Sequence, residues 1–160
     1  MIEAEERTHR LAGAIYGTIL VASVLAASSV EGNPTPGAVA AYVAATVIVF
    51  WLAHAWANTL ASAAIAAPGT RRALADALKS DWPLVQSAGP PLAVLGLASL
   101  LGATDENAID IAIWSCVGVL TAWGGFIAHR EGASPVRVVV TAAGCGGLGA
   151  LLVLLKALVH

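Results

Sequence analysis

Long apolar runs separated by short polar segments make up almost the whole chain. Each run holds about twenty residues with few or no charges, and a helix of that length, at 1.5 Å per residue, crosses a hydrocarbon core of roughly 30 Å. The pattern predicts five transmembrane helices, at about residues 11–30, 38–61, 84–103, 108–128 and 136–159.

The segments between the runs contain residues that end or bend helices. Two prolines lie within Glu31–Gly37, and Pro68-Gly69 closes the second run. Because proline has no N–H to donate, neither segment can continue a helix without interruption. Near its start the third run contains Gly89-Pro90-Pro91, so its first turns are expected to be kinked or irregular.

Residues 70–82 follow a different pattern. Leu74, Leu78 and Trp82 recur at every fourth position, while charged side chains occupy the other faces. Such a segment is too short and too charged to span a bilayer, and it is typical of an amphipathic helix that lies in the membrane interface. A solvated linker helix is the alternative interpretation.

Composition points to the same class of protein. Charged residues make up 11% of the chain and hydrophobic residues 58%, with a mean hydropathy of +0.80. A soluble domain has roughly 25% charged residues. We therefore expect one transmembrane domain over residues 1–160: an all-α, polytopic membrane helical bundle of five transmembrane helices plus one short interfacial amphipathic helix.

The distribution of basic residues predicts the orientation. Seven of the eight Arg and Lys residues fall on the side of the N-terminus if the five helices alternate in direction, and Lys156 is the exception. The positive-inside rule then places the N-terminus in the cytoplasm and the C-terminus outside the cytoplasmic membrane. Lys156 is expected to extend to the outer interface, with a pore or an ion pair as the alternative. Glu3, Glu5 and Glu6 argue against a cleaved signal peptide, which begins with a positive segment.

Small residues at helical spacing predict the packing faces. Helices in lipid associate through close contact at such positions, so a tight bundle and possible homo-oligomer contacts are expected. The predicted packing residues are Gly13 and Gly17 in the first span, Ser115, Gly118 and Gly125 in the fourth, and Gly144 and Gly149 in the fifth, where Thr141, Cys145 and Gly149 also share a stripe.

One polar stripe lies inside the second span. Trp51, His54, Asn58 and Ser62 are separated by steps of three, four and four residues, so they share a helix face. An ionisable side chain at this depth is a candidate functional residue, and His exchanges protons near neutral pH. The alternative is a structural hydrogen bond in which Asn58 or Tyr16 satisfies His54.

Other chemistry has little support in the sequence. Apart from Asp110 at the start of the fourth span, no carboxylate lies inside a span to pair with a base, and no nucleophile or phosphate-binding motif is present, so an enzyme is not favoured. His9, His54 and His129 lack the spacing of metal or haem ligands, and no cofactor or metal is expected. The thiols of Cys116 and Cys145 are expected to be free, and no basic patch indicates nucleic-acid binding.

Three segments carry a resemblance to known proteins: AIYGTILVASVLAA, VFWLAHAWAN and LLKALVH. The chain resembles small multi-pass membrane proteins of actinobacteria that have no assigned activity, and this resemblance transfers no functional residue. We expect a structural or accessory membrane protein whose partners are the lipid bilayer and possibly further copies of itself. The alternative is a small ion or proton channel or solute transporter, of unknown substrate, that uses the polar stripe. A solvated cavity beside His54 and Asn58 would favour this alternative, and close contact with the first span would favour the structural role.

Overall fold

The chain is almost entirely helical. The computed structural model describes residues 2–28, 34–66 and 70–159, and of residues 2–10, 62–66, 70, 155–157 and 159 it describes only the backbone. About 90% of the structure is helix, and the described residues contain no strand. The helices are α1 (Ile2–Ser28), α2 (Pro36–Ala66), α3 (Thr70–Ser80), α4 (Trp82–Gln86), α5 (Gly89–Leu100), α6 (Asp105–Arg130) and α7 (Pro135–Val159).

Five stretches are long and apolar enough to cross a membrane, which agrees with the number predicted. Four of them lie within the single helices α1, α2, α6 and α7. The third extends over α3, α4 and α5 together. Their bounds are Leu11–Ser28, Pro36–Ala61, Arg71–Leu100, Asp105–Arg130 and Pro135–Leu154. The all-α prediction is confirmed.

The third stretch is divided where its sequence contains proline. Turns at Asp81 and at Ser87-Ala88 separate α3, α4 and α5, and each of the two later helices has proline in its first turn. Pro90 and Pro91 cannot donate to the carbonyls of Gln86 and Ser87, so a regular helix cannot run through this point. The irregular start predicted for the third span is therefore present as a break between two short helices.

Helix α3 packs along the C-terminal half of α2. Its Ala77 is buried and Leu78 half-buried, while Arg71, Arg72 and Lys79 are exposed. The apolar face that we expected to lie in the lipid interface is thus partly covered by α2 of the same chain, while Trp82 stays exposed. Helices α2 and α3 lie side by side, and the sequence between them contains Pro68-Gly69, which cannot continue a helix.

The core lies between α1, α2, α5 and α6. It consists of aliphatic side chains that are almost completely buried, while α7 packs mainly on α6 and exposes most of its other faces. Helices α5 and α6 end in the same way, with Gly102 and Gly132 at positive φ. In each case the N–H of the residue after the glycine donates to the carbonyl oxygen five residues earlier, which is the Schellman arrangement. The principal core residues are Val21, Leu25, Val43, Val47, Leu95, Ile109 and Ile113.

The predicted packing glycines differ in their surroundings. A Cβ on Gly17 would meet Ser87 Oγ and lie 2.7 Å from the Leu84 carbonyl oxygen, so α1 and α4 are in backbone contact there. Gly13 faces the same helix at ordinary van der Waals distance, with a Cβ 3.9 Å from Leu84 N and from Pro83 Cβ.

On α6 the contact with α7 uses a face rotated from the predicted one, whereas on α7 the predicted stripe of Thr141, Cys145 and Gly149 lies in the contact. A Cβ on Gly149 would lie 3.2 Å from Val117 and Leu120, and one on Gly125 would lie 3.5 Å from Ala142. Gly118 and Gly144, by contrast, have no described heavy atom within 4 Å of such a Cβ, and the Ser115 hydroxyl donates to the Ala112 carbonyl of its own helix. Two glycines outside the prediction make close contacts instead: Gly124 against Cys145 and Thr141, and Gly146 against Thr121.

Candidate functional site

The polar stripe of α2 faces the end of α3. The indole Nε1–H of Trp51 donates to the Leu78 carbonyl oxygen at 3.1 Å. This carbonyl belongs to the last turn of α3, where helical carbonyls have no intrahelical donor. Trp51 therefore caps α3 from the side of α2. Ser62, the fourth residue of the predicted stripe, has its backbone in α2, and its side chain lies outside the described part of the structure.

Asp81 is the residue that completes this site. It stands in the turn between α3 and α4, where it is only 4% exposed, and its Oδ2 accepts a hydrogen bond from Asn58 Nδ2 at 2.9 Å. A buried carboxylate is costly unless donors compensate it. The amide of Asn58 is such a donor, so this contact joins α2 to the α3–α4 turn.

The sequence does not predict a carboxylate beside the stripe, because its amphipathic pattern places Asp81 in an interfacial helix. The prolines at 68 and 83 gave a partial signal, since they predict breaks on both sides of α3. What the sequence did not reveal is that α3 returns along α2, which brings Asp81 next to Asn58, 23 positions earlier in the chain.

His54 is the third member of the group. Its Nε2 lies 3.9 Å from Asp81 Oδ1, which is longer than a hydrogen bond. The His54 side chain is 42% exposed and that of Asp81 is 2% exposed. The imidazole thus stands beside the buried carboxylate and is itself partly exposed.

Aromatic side chains flank the polar group. The rings of Trp51 and Trp82 meet edge to face with centroids 5.4 Å apart, and those of Tyr16 and Phe50 are 5.9 Å apart. Edge-to-face pairs of this kind add to the energy of simple burial. The Trp51–Trp82 pair joins α2 to the first residue of α4, beside the hydrogen bond to Leu78.

A cavity of about 230 Å³ opens beside Asp81 and His54. It lies between α1, α2 and the α3–α4 turn, so His54 borders a cavity and also faces the first span across it. Asn58 is in contact with Asp81. The residues that line the cavity are Ala12, Gly13, Tyr16, His54, Ser80, Asp81 and Leu84.

The described residues were also considered as possible metal ligands. Within the part of the chain that the structure describes, no three His, Cys, Asp or Glu side chains lie close enough to hold a metal ion. Cys116 is buried and Cys145 half-buried, and both are free thiols. His129 lies exposed at the last turn of α6, and the side chain of His9 is not among those described. Among the described side chains, the stripe and the α3–α4 turn offer hydrogen bonding, a carboxylate and an imidazole.

No protein-family model, curated protein or solved structure matches this chain.

Proposed function

We propose that this chain is an integral protein of the cytoplasmic membrane with five spans and a structural or accessory role. The five apolar stretches support insertion, as do large aliphatic side chains on the outer surface. Val49, Leu101 and Val139 are each more than half exposed, and comparable side chains occur on several helices. A contiguous apolar surface of this kind is rare on a protein surrounded by water.

The basic residues support an N-terminus in the cytoplasm. Arg71 and Arg72 begin α3, and Arg130 and Arg137 flank the connection from α6 to α7. Trp123 in the C-terminal half of α6 and Leu11 in the N-terminal half of α1 line one cavity, which supports a position of the α6–α7 connection on the side of the bundle that holds the N-terminal half of α1. In the proposed orientation this side faces the cytoplasm and the C-terminus lies outside.

The hydrogen bond between Asn58 and Asp81 is the main observation that supports the structural role. Together with the bond from Trp51 to Leu78, it fixes the third stretch against the second. Polar contacts of this kind hold membrane helices together because lipid provides no hydrophobic drive for their association. In this proposal the side chains of the stripe hold α2 and α3 together.

The test compares folding and transport in the same variant. His54→Gln keeps a polar side chain of similar reach beside Asp81, so the structural role predicts a folded protein in which no ion or solute flux is altered. Purified protein is reconstituted in liposomes, and flux is measured alongside helicity and thermal stability. A folded His54→Gln protein that has lost a flux present in the unmodified protein would reject the structural role.

A channel or small transporter is the second candidate, and the cavity beside His54 is the observation that favours it. In that case Trp51, His54 and Asn58 border a path, either within one chain or between copies. The expected result is a pH-dependent flux of protons, monovalent ions or small solutes into protein-containing liposomes that empty liposomes lack. Absence of any such flux would count against this candidate.

A further inference from the structure

A groove with a volume of about 460 Å³ lies between the end of α5 and the start of α6. It is lined by Val94, Leu97 and Ala98 of α5, by Ile111 of α6 and by the turn at residues 101–103. We infer that this α5–α6 groove holds a hydrocarbon chain of a phospholipid whose headgroup carries an ammonium ion, such as phosphatidylethanolamine. The inference rests on the proposed insertion into the membrane and adds the class of lipid that the protein binds.

The groove lies near the edge of the bilayer in the proposed insertion. The third apolar stretch ends at Leu100 and the fourth begins at Asp105, so the turn between them lies at the interface. From this turn the groove follows α5 back to Val94, over a length of about 10 Å at 1.5 Å per residue. One leaflet supplies about half of a hydrocarbon core of roughly 30 Å. The groove therefore runs beside the part of a lipid chain that is nearest to the headgroup.

The walls of the groove suit hydrocarbon and do not suit a polar ligand. None of the described lining residues has a polar side chain. At the turn, the N–H groups of Leu101, Gly102 and Ala103 donate to carbonyl oxygens of α5 at 3.0 to 3.1 Å. A polar group that is buried without a hydrogen bond is costly. Because an apolar cavity of about 150 Å³ holds benzene, a groove of about 460 Å³ has room for a segment of a longer chain.

The groove is open towards the surface that faces lipid in this proposal. Leu97 and Leu101 are 58% and 79% exposed, and Ile111 on the opposite wall is 47% exposed. Between these walls lies Ala98, which is buried and has a small side chain. A lipid chain can therefore enter sideways from the bilayer, without a change in the fold.

The charge at this end of the bundle favours a headgroup with an ammonium ion. The charged side chains in the connections and at the helix end predicted on this side are Glu31, Asp105, Glu106, Asp110 and Lys156. Four acids against one base keep this end acidic, whichever of these side chains form ion pairs with one another. Asp105 and Glu106 are exposed and follow the lining residue Ala103 by two and three positions. Such a surface attracts an ammonium group and repels a headgroup of net negative charge.

Native mass spectrometry of the purified full chain in detergent, with one lipid added at a time, tests the inference. We expect phosphatidylethanolamine to bind about fivefold more tightly than phosphatidylglycerol with the same acyl chains. Lysophosphatidylethanolamine, which has one chain, is expected to bind, whereas glycerophosphoethanolamine, the same headgroup without chains, is not. Equal binding of the two phospholipids, or binding of the headgroup without chains, would overturn the inference.

Matched substitutions locate the lipid. Ile111→Trp places a larger side chain at the groove and is expected to weaken binding of phosphatidylethanolamine by about fivefold or more. Ile48→Trp is the control, because Ile48 on α2 is also 47% exposed and does not line the groove. Unchanged binding in Ile111→Trp, or an equal loss in both variants, would overturn the inference. So would the dissociation of a dimer by Ile111→Trp without loss of lipid, because the groove would then be a contact between two copies.

The headgroup is tested separately. Asp105→Asn combined with Glu106→Gln is expected to reduce the preference for phosphatidylethanolamine over phosphatidylglycerol to less than about twofold. A preference that persists in this folded variant would overturn the part assigned to the two acids.

Failure of this inference is distinguishable from failure of the proposed insertion. Protein that stays in cell membranes during alkaline carbonate extraction but shows no preference between the two lipids would reject the lipid site and retain the membrane protein. Protein that carbonate releases would reject insertion, and the lipid site with it.

Discussion

Gly17 shows how one missing side chain determines a helix contact. Its Cα approaches the α4 backbone so closely that a Cβ would lie 2.7 Å from the Leu84 carbonyl oxygen and would also collide with Ser87 Oγ. The hydroxyl is itself held, because Ser87 donates to the same carbonyl at 2.6 Å. Neither neighbour can move away without disturbing the turn that separates α4 from α5.

Substitution at Gly17 therefore has a clear expected result. Gly17→Ala is expected to destabilise the protein by about 1–3 kcal/mol, the usual cost of inserting a group into a filled contact. Gly118→Ala is the matched control, because Gly118 also lies within a helix and has no described heavy atom within 4 Å of an added Cβ. Thermal unfolding in detergent measures both. Equal melting temperatures for the two variants would contradict the close contact.

Asn58 is the second residue for which one contact is expected to determine a measurable part of the stability. Its amide donates to the buried Asp81 carboxylate, and hydrogen bonds to charged groups contribute about 1.5–3 kcal/mol. Asn58→Ala is expected to lower stability by an amount in this range. Asn107→Ala, at the exposed start of α6, is the control and is expected to change stability by less than about 0.5 kcal/mol.

A measurement with the double variant separates the bond from the loss of packing. In a double-mutant cycle with Asp81→Asn, the two changes are expected to be non-additive, since both remove the same charged hydrogen bond. Additive effects would show that Asn58 and Asp81 stabilise the fold independently.

At the scale of elements, α3 depends on α2 for its position. Trp51 donates to the last turn of α3 and packs edge to face on Trp82. Helix α3 has only 11 residues, and isolated helices of that length are marginal in water. Its stability therefore comes from docking and not from intrinsic helix propensity.

Trp51→Phe tests this docking, because it keeps an aromatic ring and removes the N–H donor. We expect α3 to be destabilised locally by about 0.6 kcal/mol, a typical value for interhelical hydrogen bonds in membranes. Hydrogen exchange at the backbone of α3 is expected to become faster while that of α6 and α7 is unchanged. Trp114→Phe, at an exposed position on α6, is the control. Unchanged exchange in α3 would show that apolar contacts alone hold the helix.

The interrupted third stretch was partly predictable from sequence. The residues Gly89-Pro90-Pro91 indicated an irregular start, and the break falls just before them, at Ser87-Ala88. The sequence also indicated the amphipathic pattern of α3, but not what would cover its apolar face. Local residue order determines where a helix can start and stop, whereas the partner of a face depends on how the chain folds back.

At the scale of the whole molecule, the proposed orientation gives a direct prediction. Single cysteines at Gly37 and Glu106, placed in a chain whose own cysteines are replaced by alanine, are expected to react with a membrane-impermeant thiol reagent in intact cells. Cysteines at Ser134 and Arg72 are expected to react only after the cells are opened. The reverse pattern would show the opposite orientation, and labelling of all four sites in intact cells would contradict membrane insertion.

The sequence by itself determined the helical class and the number of apolar stretches. Hydrophobic run length and periodicity are properties of consecutive residues, and they do not depend on how helices meet. The spacing of Trp51, His54 and Asn58 likewise predicts from the sequence alone that these three residues share one helix face.

Only the tertiary structure decided what that face meets. The partners of the stripe are Leu78 and Asp81, which follow Trp51 and Asn58 by 27 and 23 residues, and they reach it because α3 returns along α2. The same holds for the glycines, since helix rotation selects Gly124 and Gly146 for close contact and leaves Gly118 and Gly144 open. Rotation and relative shift of helices arise from packing over the whole bundle, so the periodicity of any single segment leaves them undetermined.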